Sequence, residues 1–237
     1  MTLLSDIITA ALRESNVVAR QQTLSTEEQD EALARLQSLL LSAVGDEVGY
    51  IMEDWNITNT VYTKPNGVPV LTAAMATFTV KPNSRLICNL GAAVTLKLDP
   101  QPQDGQRFSI VDAAGNFGTY NLTVNPNGRK FQGTAGDVVF STNGTTKQWV
   151  YRSDIGSWSL LDPLAVSDEM PFPQDFDDYF TILLAMRMNP RYGRKIDEQS
   201  KARFDQQQAQ FINRYSQSRL RSIPSPAQSN PAHGAAQ

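Results

Sequence analysis

The apolar residues of this chain change their spacing twice, from a helical repeat to an alternating one and back. They recur every three or four residues over about residues 2–15, and again from Ser25 to about Val44 or Gly45. In residues 57–164 apolar and polar residues alternate, which is typical of short strands. After this segment the helical spacing returns. The pattern predicts two pairs of helices separated by a β-rich insertion.

The helical faces are too small to be buried separately. Ser25 and Glu28 have the spacing of a capping box, which predicts the start of the second helix. Because each pair of helices is short, we expect the two pairs to pack on each other. The apolar positions are Leu4, Ile7, Ile8, Ala11 and Leu12, then Ala32, Leu36, Leu39, Leu40 and Ala43, then Phe176, Tyr179, Phe180, Leu183 and Leu184.

The last two helices differ in apolar content. Asp175 is expected to cap the third helix, and Asn189-Pro190 to end it. The fourth helix, about residues 197–221, has only a sparse apolar face and would extend nearly 40 Å at about 1.5 Å per residue. A partner that completes its cover and a solvated helix packed along one stripe both remain open. The apolar residues of this face are Phe204, Phe211, Ile212 and Tyr215.

The insertion contains strands of about five residues separated by turn sequences. This arrangement predicts an antiparallel sandwich or small barrel of seven to nine strands. We expect an α+β protein with a four-helix base that carries this antiparallel β-sandwich or small barrel. The predicted divisions are residues 1–56 and 165–222 for the base, 57–164 for the insertion and 223–237 for a flexible C-terminal segment. The turns are Asn66-Gly67, Asp104-Gly105, Gly115-Asn116, Asn127-Gly128 and Asn143-Gly144.

Composition argues against most catalytic classes. The chain has one cysteine and one histidine, and His233 falls in the polar C-terminal segment. Cys88 lies in an apolar alternation, so we expect a buried strand position. We therefore predict no catalytic residues, no metal and no cofactor. A sequence without a bilayer-length apolar run predicts no membrane anchor.

Charge is distributed unevenly along the chain. Residues 1–55 contain 3 Lys and Arg against 10 Asp and Glu, a net charge of 3 − 10 = −7. Residues 201–237 contain 5 against 1, a net charge of 5 − 1 = +4. An acidic start and a basic end favour head-to-tail or ring-like association, although two solvated faces of a monomer would give the same counts.

A basic cluster follows the third helix and has two interpretations. It could bind DNA phosphates, which match guanidinium groups bidentately. It could also pair with acidic residues of the first two helices or of a neighbouring subunit, which the charge of −7 favours. The predicted DNA or subunit contacts are Arg187, Arg191, Arg194 and Lys195, with Lys201 and Arg203 in the same cluster.

Two further features of the insertion carry alternative functions. Trp149, Tyr151 and Trp158 could stack on a carbohydrate or receptor ligand, but filling the core is the commoner role of aromatic residues that alternate along strands. Asp99 and Asp104 could serve a glycan-degrading enzyme, which needs two facing carboxylates. Turn residues would explain the same pair, and a non-enzymatic protein is favoured.

Three helical motifs lie outside the insertion: Ile7-Ile8-x-x-Ala11-Leu12, Ala32-x-x-x-Leu36-x-x-Leu39-Leu40, and Met188-Asn189-Pro190-Arg191-Tyr192-Gly193 before a Gln-rich helix. These segments resemble the head-to-tail adaptor, or tail accessory factor, of short-tailed bacteriophages, also described as a packaged-DNA stabilisation protein. The resemblance covers about 110 residues outside the insertion. Within the insertion, residues 105–108, 112–117, 127–129 and 142–144 are also similar to small β-domains of phage tail and neck proteins.

This resemblance implies a virion protein at the portal vertex, made in the host cytoplasm. It would assemble as a ring, most often of twelve copies, below the portal protein and extend the channel for double-stranded DNA during packaging and ejection. It would also hold the tail tube, nozzle or fibres. Compact family members lack the long insertion, so its role does not carry over. The residues expected to contact the portal are Arg214, Arg219, Arg221, Phe211 and Tyr215.

Overall fold

The computed structural model describes residues 2–15, 23–43, 45, 51–58, 61–63, 69–72, 77–192 and 198–222. Within them the chain forms four α-helices and thirteen strands. The helices are α1 (Leu4–Glu14), α2 (Thr26–Ser42), α3 (Asp177–Tyr192) and α4 (Glu198–Ser222), and a short 3-10 helix, Gln174–Phe176, precedes α3. The strands are β1 (Glu53–Ile57), β2 (Val61–Thr63), β3 (Pro69–Thr72), β4 (Thr77–Thr79), β5 (Ser84–Cys88), β6 (Val94–Lys97), β7 (Arg107–Asp112), β8 (Leu122–Asn125), β9 (Lys130–Phe131), β10 (Thr134–Ala135), β11 (Val138–Phe140), β12 (Thr146–Arg152) and β13 (Ser157–Asp162).

The start of α2 follows the sequence prediction. The backbone amide of Ser25 donates to the Glu28 carboxylate at 2.9 Å, and the Glu28 amide donates to the Ser25 hydroxyl at 3.3 Å. The predicted capping box is therefore confirmed. The predicted end of α3 at Asn189-Pro190 is wrong, because the helix continues to Tyr192. A proline removes one backbone hydrogen bond, and near the end of a helix this loss does not stop the next turn.

Parallel pairing dominates the middle of both sheets. Strands β1, β5 and β7 lie parallel in one sheet, and β4, β6 and β8 lie parallel in the other. From β4 to β8 the chain passes from one sheet to the other at each strand, as in a β-solenoid. Equivalent inward positions therefore stack: Trp55 pairs with Leu86, and Leu86 pairs with Ile110.

Antiparallel strands extend this stack at its edges. Strand β12 pairs antiparallel with β7 and with β13, and β11 pairs antiparallel with β8. The result is a nine-stranded sheet in the order β10-β9-β13-β12-β7-β5-β1-β2-β3 and a four-stranded sheet in the order β11-β8-β6-β4. One core cluster between them contains Trp55, Leu86 and Ile110 from the first sheet and Leu96 and Val124 from the second.

A second core cluster joins the helices to the large sheet. It contains the buried faces of α1, α2, α3 and α4 together with Val150 of β12 and Leu161 of β13. These two strand residues point away from the core between the sheets, toward the helices. The chain is therefore built in layers, with helices on one face of the large sheet and the small sheet on the other.

This architecture contradicts the predicted four-helix base with an antiparallel sandwich or small barrel. Most of the described elements are strands, and the helices bury their faces partly on β12 and β13 rather than only on each other. Parallel strands are often connected by helices, but between β4 and β8 a strand of the opposite sheet makes each connection. Short strands and turn sequences have the same appearance in both architectures, which explains the error.

Some predictions concern residues outside the described ranges. The chain ahead of the insertion is described only from Ile51 onward, and β1 begins at Glu53, before the predicted start of the insertion at residue 57. The C-terminal segment 223–237, with His233, lies outside the described residues. The domain divisions after residues 56, 164 and 222 stay predictions. Among the described residues, no helix has the length and apolar content needed to cross a membrane.

Candidate functional site

The C-terminal helix α4 is held by a cluster of aromatic rings. Phe211 is 0% exposed and Tyr215 is 1% exposed, and their ring centroids lie 4.7 Å apart. The ring of Phe176 lies 5.1 Å from that of Phe211. Phe211 and Tyr215 were predicted to contact a portal protein, but their rings fill this chain's own core and offer no surface to a partner. The other rings around them are Phe172, Tyr179 and Phe180.

Arg214 connects the same helix to the sheets. Its Nε atom donates to Oδ2 of Asp104 at 2.7 Å, and its guanidinium lies 5.7 Å from the ring centroid of Phe176. Desolvation lowers the pKa of Arg214, but the hydrogen bond and the charge of Asp104 outweigh it, so the pKa is raised. Arg214 was also predicted to contact a portal protein, but its guanidinium binds Asp104 of the same chain.

A glycine next to Asp104 lets α4 approach the turn before β7. Gly105 has a φ of +80°, and a Cβ atom built on it would lie 2.4 Å from the ring of Tyr215. Burial raises the pKa of the Tyr215 hydroxyl above its usual range. The Asp104-Gly105 turn therefore leads into β7 and also leaves room for α4 to pack against it.

The remaining predicted portal contacts lie at the end of α4. Arg219 and Arg221 belong to this helix, whose described backbone runs to Ser222. Their side chains lie outside the described part of the structure. A portal contact by these two arginines therefore stays a prediction.

The predicted pairing of the basic cluster with the first helices is confirmed for one residue. Arg203 of α4 lies 3.1 Å from the carboxylate of Glu14 in α1 and 3.2 Å from that of Asp178 in α3. Gln207 also donates to Asp178, at 3.1 Å. This arginine thus joins three helices. About half of its side chain is exposed, so each ion pair contributes little to stability.

Arg187 lies on a surface groove between α2 and α3. The groove has a volume of about 620 Å³ and combines two arginines with hydroxyl and apolar groups. Arg191 belongs to the last turn of α3 with a side chain that is not described, and Arg194 and Lys195 lie outside the described residues. Among the described residues, the groove brings Arg187 together with Arg35. The groove is lined by Glu31, Ala34, Arg35, Ser38, Leu39, Ser42 and Arg187.

The aromatic residues of the insertion fill the core between the sheets. Trp149, Tyr151 and Trp158 are 1%, 3% and 2% exposed. Trp149 stacks on Phe108 with ring centroids 5.6 Å apart, and Tyr151 packs on Trp158 at 5.3 Å. Burial raises the pKa of Tyr151. These rings present no platform for a sugar or a receptor peptide, and their position agrees with the core alternative. Cys88 is also buried, and desolvation raises its pKa to about 12.

The two carboxylates considered for glycan cleavage have structural contacts. Asp104 accepts from the Ser153 amide at 2.8 Å with one oxygen and from Arg214 with the other. Asp99 accepts from the Gln101 amide at 2.8 Å within its own turn. Both oxygens of Asp104 are engaged in holding loops and helix together.

Sequence reasoning missed the polar links between helices and sheet. Arg107 of β7 is buried and donates to the Leu41 carbonyl oxygen at 3.3 Å, near the C-terminal end of α2, where a cation is favoured. Asp162 of β13 accepts a hydrogen bond from Gln37 of α2. A polar residue inside a strand is the only signal for either link, and it does not identify the partner.

Comparison with known proteins gives no family for this chain. No protein-family model matches the sequence, and no curated protein matches it significantly.

Proposed function

We propose that this chain is a structural virion protein, a head-to-tail adaptor that forms a ring under a portal protein. The ring, of twelve copies in the proposed assembly, extends the channel for double-stranded DNA and offers a platform for the tail tube, nozzle or fibres. The chain acts by binding and shape rather than by catalysis. Its place is the portal vertex of the virion.

One observation supports this proposal above the others. The segments that carry the resemblance to adaptors lie on both sides of the insertion, and their apolar residues pack in one core. Ile8 of α1, Leu40 of α2 and Phe180 of α3 all belong to this cluster. A shared core is what a helical assembly unit requires if its two halves act together.

The long helix α4 gives a second line of support. Its 25 residues extend about 37 Å at about 1.5 Å per residue. Its contacts through Phe211 and Tyr215 fix the helix on the core, while its last turn carries Arg219 and Arg221. In the proposal this end of the helix contacts the portal, and the sheets hold the tail components.

Co-assembly with the portal protein of the same virus tests the proposal. We expect electron microscopy of the mixed, purified proteins to show an added ring of density with twelvefold symmetry on one end of the portal. An unrelated portal protein serves as the control and should stay free. If the two proteins never migrate together in sedimentation, even at high concentration, the adaptor function is wrong.

A variant separates the portal contact from folding. Arg219→Ala combined with Arg221→Ala should weaken portal binding while thermal unfolding stays unchanged. The matched control is Lys97→Ala combined with Lys130→Ala, two exposed positions in the sheets. Equal portal binding by the wild type and the double variant would remove these arginines from the interface.

A further inference from the structure

The groove between α2 and α3 has a charge pattern suited to an acidic protein segment. Arg35 and Arg187 lie on its walls, and Ser38 and Ser42 add hydroxyl groups. Arg35 lies at a long ion-pair distance, 3.7 Å, from Glu31. No described residue forms an ion pair with Arg187, which is exposed. The groove therefore has cationic capacity that its own described walls do not neutralise.

We propose that this groove receives the acidic N-terminal end of α2 from a second copy of this chain. The inference rests on the proposed function, because it supplies the contact between neighbouring subunits of the ring. The acidic surface is formed by Glu27 and Asp30, which are both exposed and lie three residues apart on one side of the helix.

The geometry of α2 requires that the contact is intermolecular. Glu27 lies eight residues before Arg35 on one continuous helix, a distance of about 12 Å. A straight helix cannot fold its first turn into a groove lined by its own later turns. A head-to-tail contact between copies places the acidic end of one α2 at the basic groove of the next. Repetition of such a heterologous contact gives a closed ring when the rotation between neighbouring copies divides a full turn evenly.

Other occupants fit the groove less well. Residues 223–237 of the same chain contain no Asp or Glu, so they carry no side-chain anion to pair with the two arginines. Duplex DNA carries a phosphate about every 1.7 Å along its axis, so it would place further anions beside Glu31, which lines the groove. The start of α2 offers two exposed carboxylates, Glu27 and Asp30, for the two arginines.

Charge reversal with rescue tests the contact. The variant R35E/R187E places like charges opposite Glu27 and Asp30, and we expect roughly tenfold or greater weakening of ring formation on the portal. The variant E27K/D30K should weaken it similarly. The four substitutions in one chain restore opposite charges across the interface and should recover rings. Sedimentation velocity and electron microscopy give the readout, and thermal unfolding shows that each variant folds.

The control and the alternative outcomes separate this inference from the proposed function. Lys97→Glu, an exposed reversal in β6 of the small sheet, should leave ring formation unchanged. Absence of rings with the wild-type chain overturns both proposals. If the wild type forms rings and R35E/R187E also forms them, only this contact is overturned. The same holds if the variant with all four substitutions does not recover rings. Rings that persist while binding of duplex DNA is lost would assign the groove to DNA instead.

Discussion

Arg214 of the last helix donates to Asp104 of the turn before β7, with 2.7 Å between Nε and Oδ2, although the two residues are 110 positions apart in the sequence. The Asp104 side chain is 8% exposed and that of Arg214 is 31% exposed. Water therefore screens this pair less than it screens an ion pair on the surface. The second oxygen of Asp104 holds the Ser153 amide, so one carboxylate fixes a helix and two loops.

Removal of this carboxylate should destabilise the chain measurably. Asp104→Ala leaves Arg214 half-buried and without its hydrogen-bond partner, and we expect a loss of about 2 kcal/mol in the free energy of unfolding. Urea unfolding followed by circular dichroism gives the value. Arg85→Ala is the control, because its bidentate pair with Asp54 is much more exposed and should contribute less than about 1 kcal/mol. Equal losses in the two variants would contradict a special role for Asp104.

The approach of Tyr215 to Gly105 leads to a second prediction. Gly105→Ala introduces a left-handed alanine, which costs about 1 kcal/mol, and places its Cβ against the Tyr215 ring. Overpacking adds about 1–3 kcal/mol. Gly128→Ala is a matched control, since its φ is +86° and nothing lies within 4 Å of the added atom. Urea unfolding should show a larger loss for Gly105→Ala, and equal losses would mean that α4 moves away without cost.

The local features of the helices could be predicted from sequence. The faces of α1 and α2 and the Ser25–Glu28 cap depend on residues close together in the chain, and the structure has them as expected. Their tertiary partners could not be predicted. Val150 and Leu161 lie in strands and face the helices. Nothing in their spacing along the sequence distinguishes this from facing the second sheet.

The pairing of the strands and the contacts of the candidate site could not be predicted either, because both depend on residues far apart in the sequence. Alternation in β5 and β7 shows which side chains point inward but not whether neighbouring strands run parallel, because both arrangements repeat every two residues. The sparse apolar stripe of α4, with Phe211 and Tyr215, left open whether a partner or this chain covers it. The rings that cover the stripe, Phe172 and Phe176, lie about 40 residues earlier. Sequence spacing indicated the stripe but not what covers it.

The burial of every tryptophan leads to a third prediction. Trp55, Trp149 and Trp158 are at most 2% exposed, and they are the three tryptophans of the chain. We expect emission at short wavelength and weak quenching by iodide or acrylamide in the native protein, with strong quenching in urea. Free tryptophan under the same conditions is the reference for a fully exposed indole ring. Quenching by added host glycans would contradict the core position of these rings.

Core truncation should show the same packing in energetic terms. Trp149 contacts Phe108, Phe131 and Phe140, with ring centroids 5.0 to 5.6 Å away. Trp149→Ala should therefore lower the free energy of unfolding by about 3–5 kcal/mol. Val139→Ala is the control, because Val139 is 54% exposed at the edge of the small sheet. A loss at Trp149 no larger than that at Val139 would place the tryptophan outside the core.

The link between Asp162 and Gln37 should make stability depend on pH. Desolvation raises the pKa of Asp162, although the hydrogen bond from Gln37 opposes the shift. The folded state binds this proton more tightly than the unfolded state, whose aspartate pKa is about 3.9. The stabilisation from this group is therefore complete below that pKa and is lost as the pH rises through the folded pKa. Asp162→Asn should thus gain stability relative to the wild type as the pH rises.

Urea unfolding at pH 3, 5 and 7 measures this difference. The amide introduced by Asp162→Asn keeps an oxygen that accepts from Gln37 but carries no charge, so the gain should appear between pH 3 and pH 7. Gln37→Met removes the donor that opposes the shift, which should raise the pKa of Asp162 further and make the loss of stability with rising pH larger. Asp175→Asn, at an exposed position, controls for the removal of one negative charge. If Asp162→Asn changes stability by the same amount at all three pH values, the Asp162 carboxyl does not couple folding to protonation.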